Sequence, residues 1–144
     1  MNSDHYRIET NPSADDLRFL ENQIDEFNVE ATNNRDFAPL AIFVRNESSI
    51  IAGISGYTWG GCCEIKLLWV HPEYRQSGLG GRLLHAAEAE AQQRACHLVV
   101  LDTYSFQAPL FYPKFGYTVI GTYEDCPSGH RKYYLEKRLE RTRS

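Results

Sequence analysis

The chain has 144 residues, enough for one domain with a real core. It is 42% hydrophobic and 24% charged, the profile of a soluble globular protein. A net charge of -4 argues against a nucleic-acid partner, whose footprint is a basic patch, and is compatible with a cationic or amine ligand.

Met1 to Ile8 holds no apolar core of signal-peptide length, and no run of about eighteen apolar residues occurs anywhere, so a cytoplasmic protein without a membrane span is expected. Tyr6 to Glu9 reads as a short first strand. Asn11-Pro12-Ser13 then opens a helix, with Ser13 as N-cap, Asp15 and Asp16 in the first turn, and Leu17, Leu20, Ile24 and Phe27 at helical spacing. That helix is expected to end near Asn28, with Thr32-Asn33-Asn34 as loop. Leu40 to Arg45 and Ile50 to Thr58 read as an antiparallel hairpin about the turn Asn46-Glu47-Ser48-Ser49. After the turn Trp59-Gly60-Gly61, Cys62 to Val70 is a strand whose Ile65, Leu67, Leu68 and Val70 suggest burial on both faces.

A helix over Gly81 to Arg94 follows, with Leu79, Leu83, Leu84, Ala87 and Ala91 on one face and Arg82, His85, Gln92 and Gln93 outside it. His97 to Leu101 reads as a buried strand, Ala108 to Lys114 as a short helix stopped by Gly116, and Tyr117 to Tyr123 and Lys132 to Leu135 as closing strands. Glu136 to Ser144 reads as a charged, solvated tail. The order predicts an α/β (α+β) sandwich: a mixed, mostly antiparallel sheet of about six to seven strands flanked by helices. The strands on either side of the Gly81 to Arg94 helix should lie parallel, joined by a right-handed crossover. One domain over 1–144 is expected, with reduced thiols at Cys62, Cys63, Cys96 and Cys126.

The most informative stretch is Arg75-Gln76-Ser77-Gly78-Leu79-Gly80, between strand and helix. A helix start carries unpaired N–H groups and the positive end of the dipole, so it takes phosphate where nothing bulky blocks the way. Gly78 and Gly80 lack a Cβ, which allows unusual dihedrals and close approach. Gly80-Gly81-Arg82 does not end a Walker A loop, which needs Gly-Lys-Ser/Thr. Leu83 stands where a dinucleotide fingerprint needs its third glycine.

The segment Val70-His71-Pro72-Glu73-Tyr74-Arg75-Gln76-Ser77-Gly78-Leu79-Gly80 resembles the Q/R-x-x-G-x-G/A block of the GNAT N-acetyltransferase superfamily. Phe111-Tyr112-Pro113-Lys114-Phe115-Gly116-Tyr117 resembles its F-Y-x-x-x-G-F/Y block, in the right order along the chain. The resemblance covers nearly the whole chain and is weakest before Ala38. It implies transfer of an acetyl group from acetyl-CoA, as co-substrate, to a primary amine by direct attack, with no metal. The alternative it admits is a CoA-binding sensor that does not catalyse.

The resemblance implies that backbone amides from Gln76 through Ser77, Gly78, Leu79 and Gly80 to Gly81 hold the pyrophosphate, with Arg75 at the Q/R position. Trp69 and Val70 would pair with the pantetheine arm where two parallel strands splay, and the amide of Leu68 or Val70 would polarise the acetyl carbonyl. Tyr112 matches the family's proton donor to the leaving thiolate. Glu64 matches the offset of the glutamate that acts as base in the histone-acetylating branch, usually through water, while other members use a water chain or an already neutral amine with no single base. The family's CoA-contacting asparagine is replaced by Thr103, Ser105, Gln107 and Ala108, in a T-x-S-F-Q-A pattern of a bacterial subgroup. Asn28, Tyr57 and Trp59 are candidate linings of the acceptor pocket. A small-molecule amine and a protein amine both remain open as acceptor, no nucleic acid or membrane is implied, and a homodimer is frequent in the family.

Overall fold

A computed structural model describes residues 5–140. Two compact units divide between Arg35 and Asp36.

The first unit is built on α1 (Ala14–Thr32). Ser13 Oγ accepts the Asp16 amide at 3.0 Å while Asp16 Oδ2 accepts the Ser13 amide at 3.1 Å, a reciprocal cap that satisfies two donors of the first turn. The helix runs one turn past the expected stop at Asn28. Val29, Glu30 and Ala31 contain no breaker, and termination waits for Asn33, which adopts φ 58° and returns its N–H to the Val29 carbonyl. Tyr6 to Glu9 forms no strand. An extended segment counts as a strand only when it joins a backbone ladder, and the strands of the sheet do not include these residues.

The second unit is a six-stranded sheet in the order β1-β2-β3-β4-β6-β5. Its strands are β1 (Ala38–Asn46), β2 (Ser49–Trp59), β3 (Cys62–Val70), β4 (Leu98–Tyr104), β5 (Thr118–Glu124) and β6 (Arg131–Arg138), with α2 (Leu79–Gln93) between β3 and β4. Only β3 and β4 run parallel, as a strand–helix–strand connection requires. Leu83, Leu84, Ala87 and Ala91 of α2 pack with Ala52, Ile54, Cys63, Ile65, Val99, Leu101 and Leu135 in one core. Leu84 is fully buried there, so truncating it to alanine would cost about 2–5 kcal/mol. Arg94, just past α2, donates to the Thr58 hydroxyl and the Pro39 carbonyl, both at 3.1 Å, fastening the helix end to β1 and β2.

Three expectations for this unit need correction. β3 is not buried on both faces. Ser55 pairs with Leu67 but Gly56 pairs with Ile65, so Lys66 is an extra, bulged residue. The bulge shifts the alternation, and Leu67 is 69% exposed. It also presses β3 against β2, where a Cβ on Gly56 would stand 1.9 Å from the Glu64 carbonyl oxygen. Second, Ala108 to Lys114 is not one short helix: Tyr112–Phe115 is a 3-10 turn capped by Gly116, and turns precede it. Pro109 and Pro113 supply no N–H for a continuous ladder. Third, Glu136 to Arg138 extends β6 and Leu139 is buried, so the solvated tail does not begin at Glu136. Arg141 to Ser144 lie outside the described residues.

Candidate active site

β3 and β4 stay paired from Cys62↔Leu98 to Ile65↔Leu101 and then part. The parting begins at the bulge. Beyond it, Leu68, Trp69 and Val70 of β3 keep their pairing with β2 but have no β4 partner, while Asp102, Thr103 and Tyr104 of β4 remain paired with β6. The edge of β3 therefore has no strand partner beside the gap, the arrangement an extended ligand can join like an added strand.

At the end of β3 the chain turns through a 3-10 segment, Pro72–Tyr74, capped by His71 Nδ1 accepting the Glu73 amide at 3.1 Å. Ser77 Oγ donates to the Tyr74 carbonyl, and Arg75 Nε donates to the Val70 carbonyl at 3.0 Å. Gln76 and Gly78 both take positive φ, 65° and 85°. Gly78 is the N-cap of α2, and no side chain caps that helix. Its first-turn amides are thus left to a ligand or water, with the positive end of the dipole behind them.

The absent Cβ of Gly80 faces protein. A Cβ there would stand 3.2 Å from Phe111 Cζ, and one on Gly81 would stand 2.7 Å from Phe115 Cζ. The two sequence blocks are therefore packed on each other: the aromatic block rests its rings on the first turn of α2. Phe111 and Phe115 lie 4.9 Å apart, and Tyr112 meets Phe111 at 5.1 Å and Tyr117 at 5.9 Å.

Tyr112 is 9% exposed. Burial, and then the charge of Asp102, push its phenol up to about 12, so it stays protonated at neutral pH. Its hydroxyl makes no hydrogen bond to another described residue. Tyr117 is committed elsewhere. Its hydroxyl donates to Glu88 Oε2 at 2.8 Å, and Lys137 Nζ donates to Glu88 Oε1 at 2.8 Å.

Tyr57 and Glu64 are paired across β2 and β3, and the Tyr57 hydroxyl donates to Glu64 Oε2. Lys66 Nζ lies 2.9 Å from Glu64 Oε1. Burial works to raise the Glu64 carboxyl, but the Tyr57 hydroxyl and the Lys66 ammonium outweigh it and hold the carboxyl below its ordinary range. The bond to Glu64, followed by burial, pushes Tyr57 up to about 12. Trp59 is half-buried at the end of β2, opposite Cys62. Asn28 belongs to the first unit, where its carbonyl accepts the Thr32 hydroxyl at 2.6 Å.

The segment after β4 uses its polar groups internally. Gln107 Oε1 accepts the Thr103 hydroxyl at 3.1 Å and the Tyr104 amide at 2.8 Å. Ser105 Oγ accepts the Arg131 amide at 3.0 Å. The Ala108 carbonyl accepts the Phe111 amide at 3.1 Å, closing the turn that delivers Phe111 and Tyr112. Ser105 also lines a polar groove of about 480 Å³ with Glu124, Asp125, Gly129, His130, Arg131 and Tyr133. Among the described residues no cluster of metal-ligating side chains occurs, and no helix is long and apolar enough to cross a membrane.

Two residues escaped the sequence reading. Asp102 interrupts the apolar run of β4, a signal that was present. Glu88 sits within the apolar stripe of α2, between Leu84, Ala87 and Ala91, where a charge requires a partner.

Comparison with known proteins agrees with this architecture. The profile of the acetyltransferase (GNAT) family matches residues 4–117. An acetyltransferase of Agrobacterium fabrum is 33% identical over 114 residues, 78% of this chain and 83% of that protein. Blasticidin-S acetyltransferase of Streptomyces morookaense is 34% identical over 112 residues, 77% of this chain and 81% of that protein. The crystal structure of an acetyltransferase from Bacillus cereus ATCC 14579 superposes with a TM-score of 0.82 at 33% identity, covering 92% of this chain and 98% of that one.

Proposed function

Because this chain belongs to the acetyltransferase (GNAT) family and is an acetyl-CoA-dependent N-acetyltransferase, we propose that it acetylates a primary amine of a small molecule by direct attack on the bound thioester. The observation that carries the reading is the parting of β3 and β4 beyond Ile65↔Leu101, in a chain that also holds an uncapped helix N-terminus and a buried, protonated phenol.

Each part has a physical task. The amides of Gln76 to Gly81 hold the pyrophosphate, favoured by the α2 dipole. Arg75, turned back onto the Val70 carbonyl, adds positive charge beside them. The edge of Trp69 and Val70 takes the pantetheine arm, and the amide of Leu68 or Val70 polarises the acetyl carbonyl as it becomes an oxyanion. Thr103, Ser105, Gln107 and Ala108 build the turn bordering the arm. The amine nitrogen forms its bond to the carbonyl carbon, the C–S bond breaks, and Tyr112 gives its proton to the departing sulfur.

Glu64 takes the acceptor's proton through water. Its two donors hold it ionised at neutral pH, so it can receive that proton, and they leave it a weak base that works through the intervening water. Tyr57 and Trp59, near the end of β2, are the acceptor-lining residues of this reading. The 34% identity to blasticidin-S acetyltransferase favours a small molecule over a protein lysine. A cytoplasmic setting follows from the need for acetyl-CoA and fits four free cysteines.

The test is thermal unfolding with and without acetyl-CoA, followed by an amine panel read by thiol release. A rise in melting temperature and turnover on a small amine are expected. No shift at millimolar acetyl-CoA would overturn the reading.

A further inference from the structure

β4 reads Leu-Val-Val-Leu-Asp-Thr-Tyr, and Asp102 is its one charged residue. Its register position is specific. Leu101 is the last β4 residue paired with β3, so Asp102 is the first beyond the parting, while on its other side it stands opposite Tyr134 of β6. Leu101 and Thr103 are 4% and 3% exposed and face the core under α2, so alternation turns Asp102 to the opposite face of the sheet. Glu64 stands opposite Val100, two residues before Asp102 on that same face.

The two carboxylates differ in availability. Glu64 is engaged by Tyr57 and Lys66. The Asp102 carboxylate is half-buried and makes no hydrogen bond or ion pair with any described residue. Its charge nevertheless reaches Tyr112, whose ring lies in the core on the α2 side, and Lys132 of β6. The carboxylate thus stands just past the parting, within electrostatic reach of a core phenol. A half-buried, unpaired carboxylate beside the reacting thioester suits a cation delivered by the substrate.

We infer that Asp102 is the residue that receives the acceptor's ammonium group, so that the acceptor is an amine carrying positive charge at neutral pH. The inference rests on the acetyl-transfer reading above and adds the acceptor's charge and the group that selects it. Asp102 holds the nitrogen at the mouth of the parting. The proton leaves to water, with Glu64 as its acceptor, before the nitrogen attacks.

The experiment compares wild type with Asp102→Asn on phenethylamine and spermidine, cations at pH 7, and on aniline, which is neutral there. Hydrogen bonds to a charged group support a change of about tenfold or more. The ratio of kcat/KM for phenethylamine over aniline should fall by that factor, with KM for acetyl-CoA moved less than twofold and Asp102→Glu partly restoring the ratio. Calorimetric titration of both cations into the wild-type CoA complex gives a second measure, and Asp102→Asn should weaken it by the same factor. An unchanged ratio, an equal loss on all three amines, a wild type that prefers aniline, or no binding of either cation would each overturn the inference. Failure of the acetyl-transfer reading is seen separately, as an acetyl-CoA melting shift absent from wild type.

Discussion

A Cβ placed on Gly81 would stand 2.7 Å from Cζ of Phe115, so the first turn of α2 and the ring that follows Tyr112 are in direct steric contact. The first turn of α2 and the segment that carries the phenol are therefore packed as one piece. Gly81→Ala gains up to about 1 kcal/mol of helix propensity but overpacks the ring by about 1–3 kcal/mol. Net loss of stability is expected in urea unfolding, together with a raised KM for acetyl-CoA. A variant as stable as wild type would show that the ring gives way freely.

Tyr112→Phe removes one hydroxyl that no described residue holds, so packing should survive. Loss of a general acid costs about 10²-fold or more in kcat. Acetyl-CoA binding, measured by melting shift, should be unchanged. Because the phenol is pushed up to about 12, the wild-type rate should show no alkaline decline from this group below pH 10.

The same raised values set a sign for stability. Tyr57 and Tyr112 titrate near 12 in the folded protein and near 10 when unfolded. Between those values the folded state holds more protons, so stability falls as pH rises. Denaturant midpoints measured from pH 9 to pH 12 should decline, and Tyr57→Phe should make the decline shallower.

Glu64 carries the opposite sign. Its carboxyl is held below its ordinary range, so its stabilising share is present above that range and lost as pH falls through the lowered value. Glu64→Gln should flatten the acid limb of a stability–pH curve. It should also lower kcat about 10²-fold at pH 7, with the deficit shrinking as rising pH neutralises the amine without help. A deficit constant with pH would remove Glu64 from the proton path.

Lys137 and Tyr117 both donate to Glu88, which is 8% exposed. Lys137→Met strands that carboxylate and should cost about 3–5 kcal/mol. Adding Glu88→Gln removes the stranded charge, so the double variant should be more stable than Lys137→Met alone. Urea unfolding of the four-member cycle measures the coupling.

Some of this site was legible before any fold existed. The glycine turn between strand and helix follows from local chemistry, since Gly78 at φ 85° and an uncapped helix start depend only on near neighbours. The Ser13 cap, the span of β3 and the apolar face of α2 likewise follow from short-range pattern. The Tyr6–Glu9 strand failed because a strand is a relation to a partner, which composition does not supply. Leu67 misled because the bulge at Lys66 changes which face it meets.

The sequence by itself therefore determined the turn, the aromatic block that follows it, their order, and the family these point to. The tertiary structure decided what the side chains do. It set the parting after Ile65↔Leu101, the face on which Asp102 emerges, the commitment of Glu64 to Tyr57 and Lys66, and the burial that keeps Tyr112 protonated. The physical reason is range. Helix caps and positive φ are decided within a few residues. Register, desolvation and the pairing of Glu88 with Lys137, 49 positions away, exist only once distant strands and α2 have met.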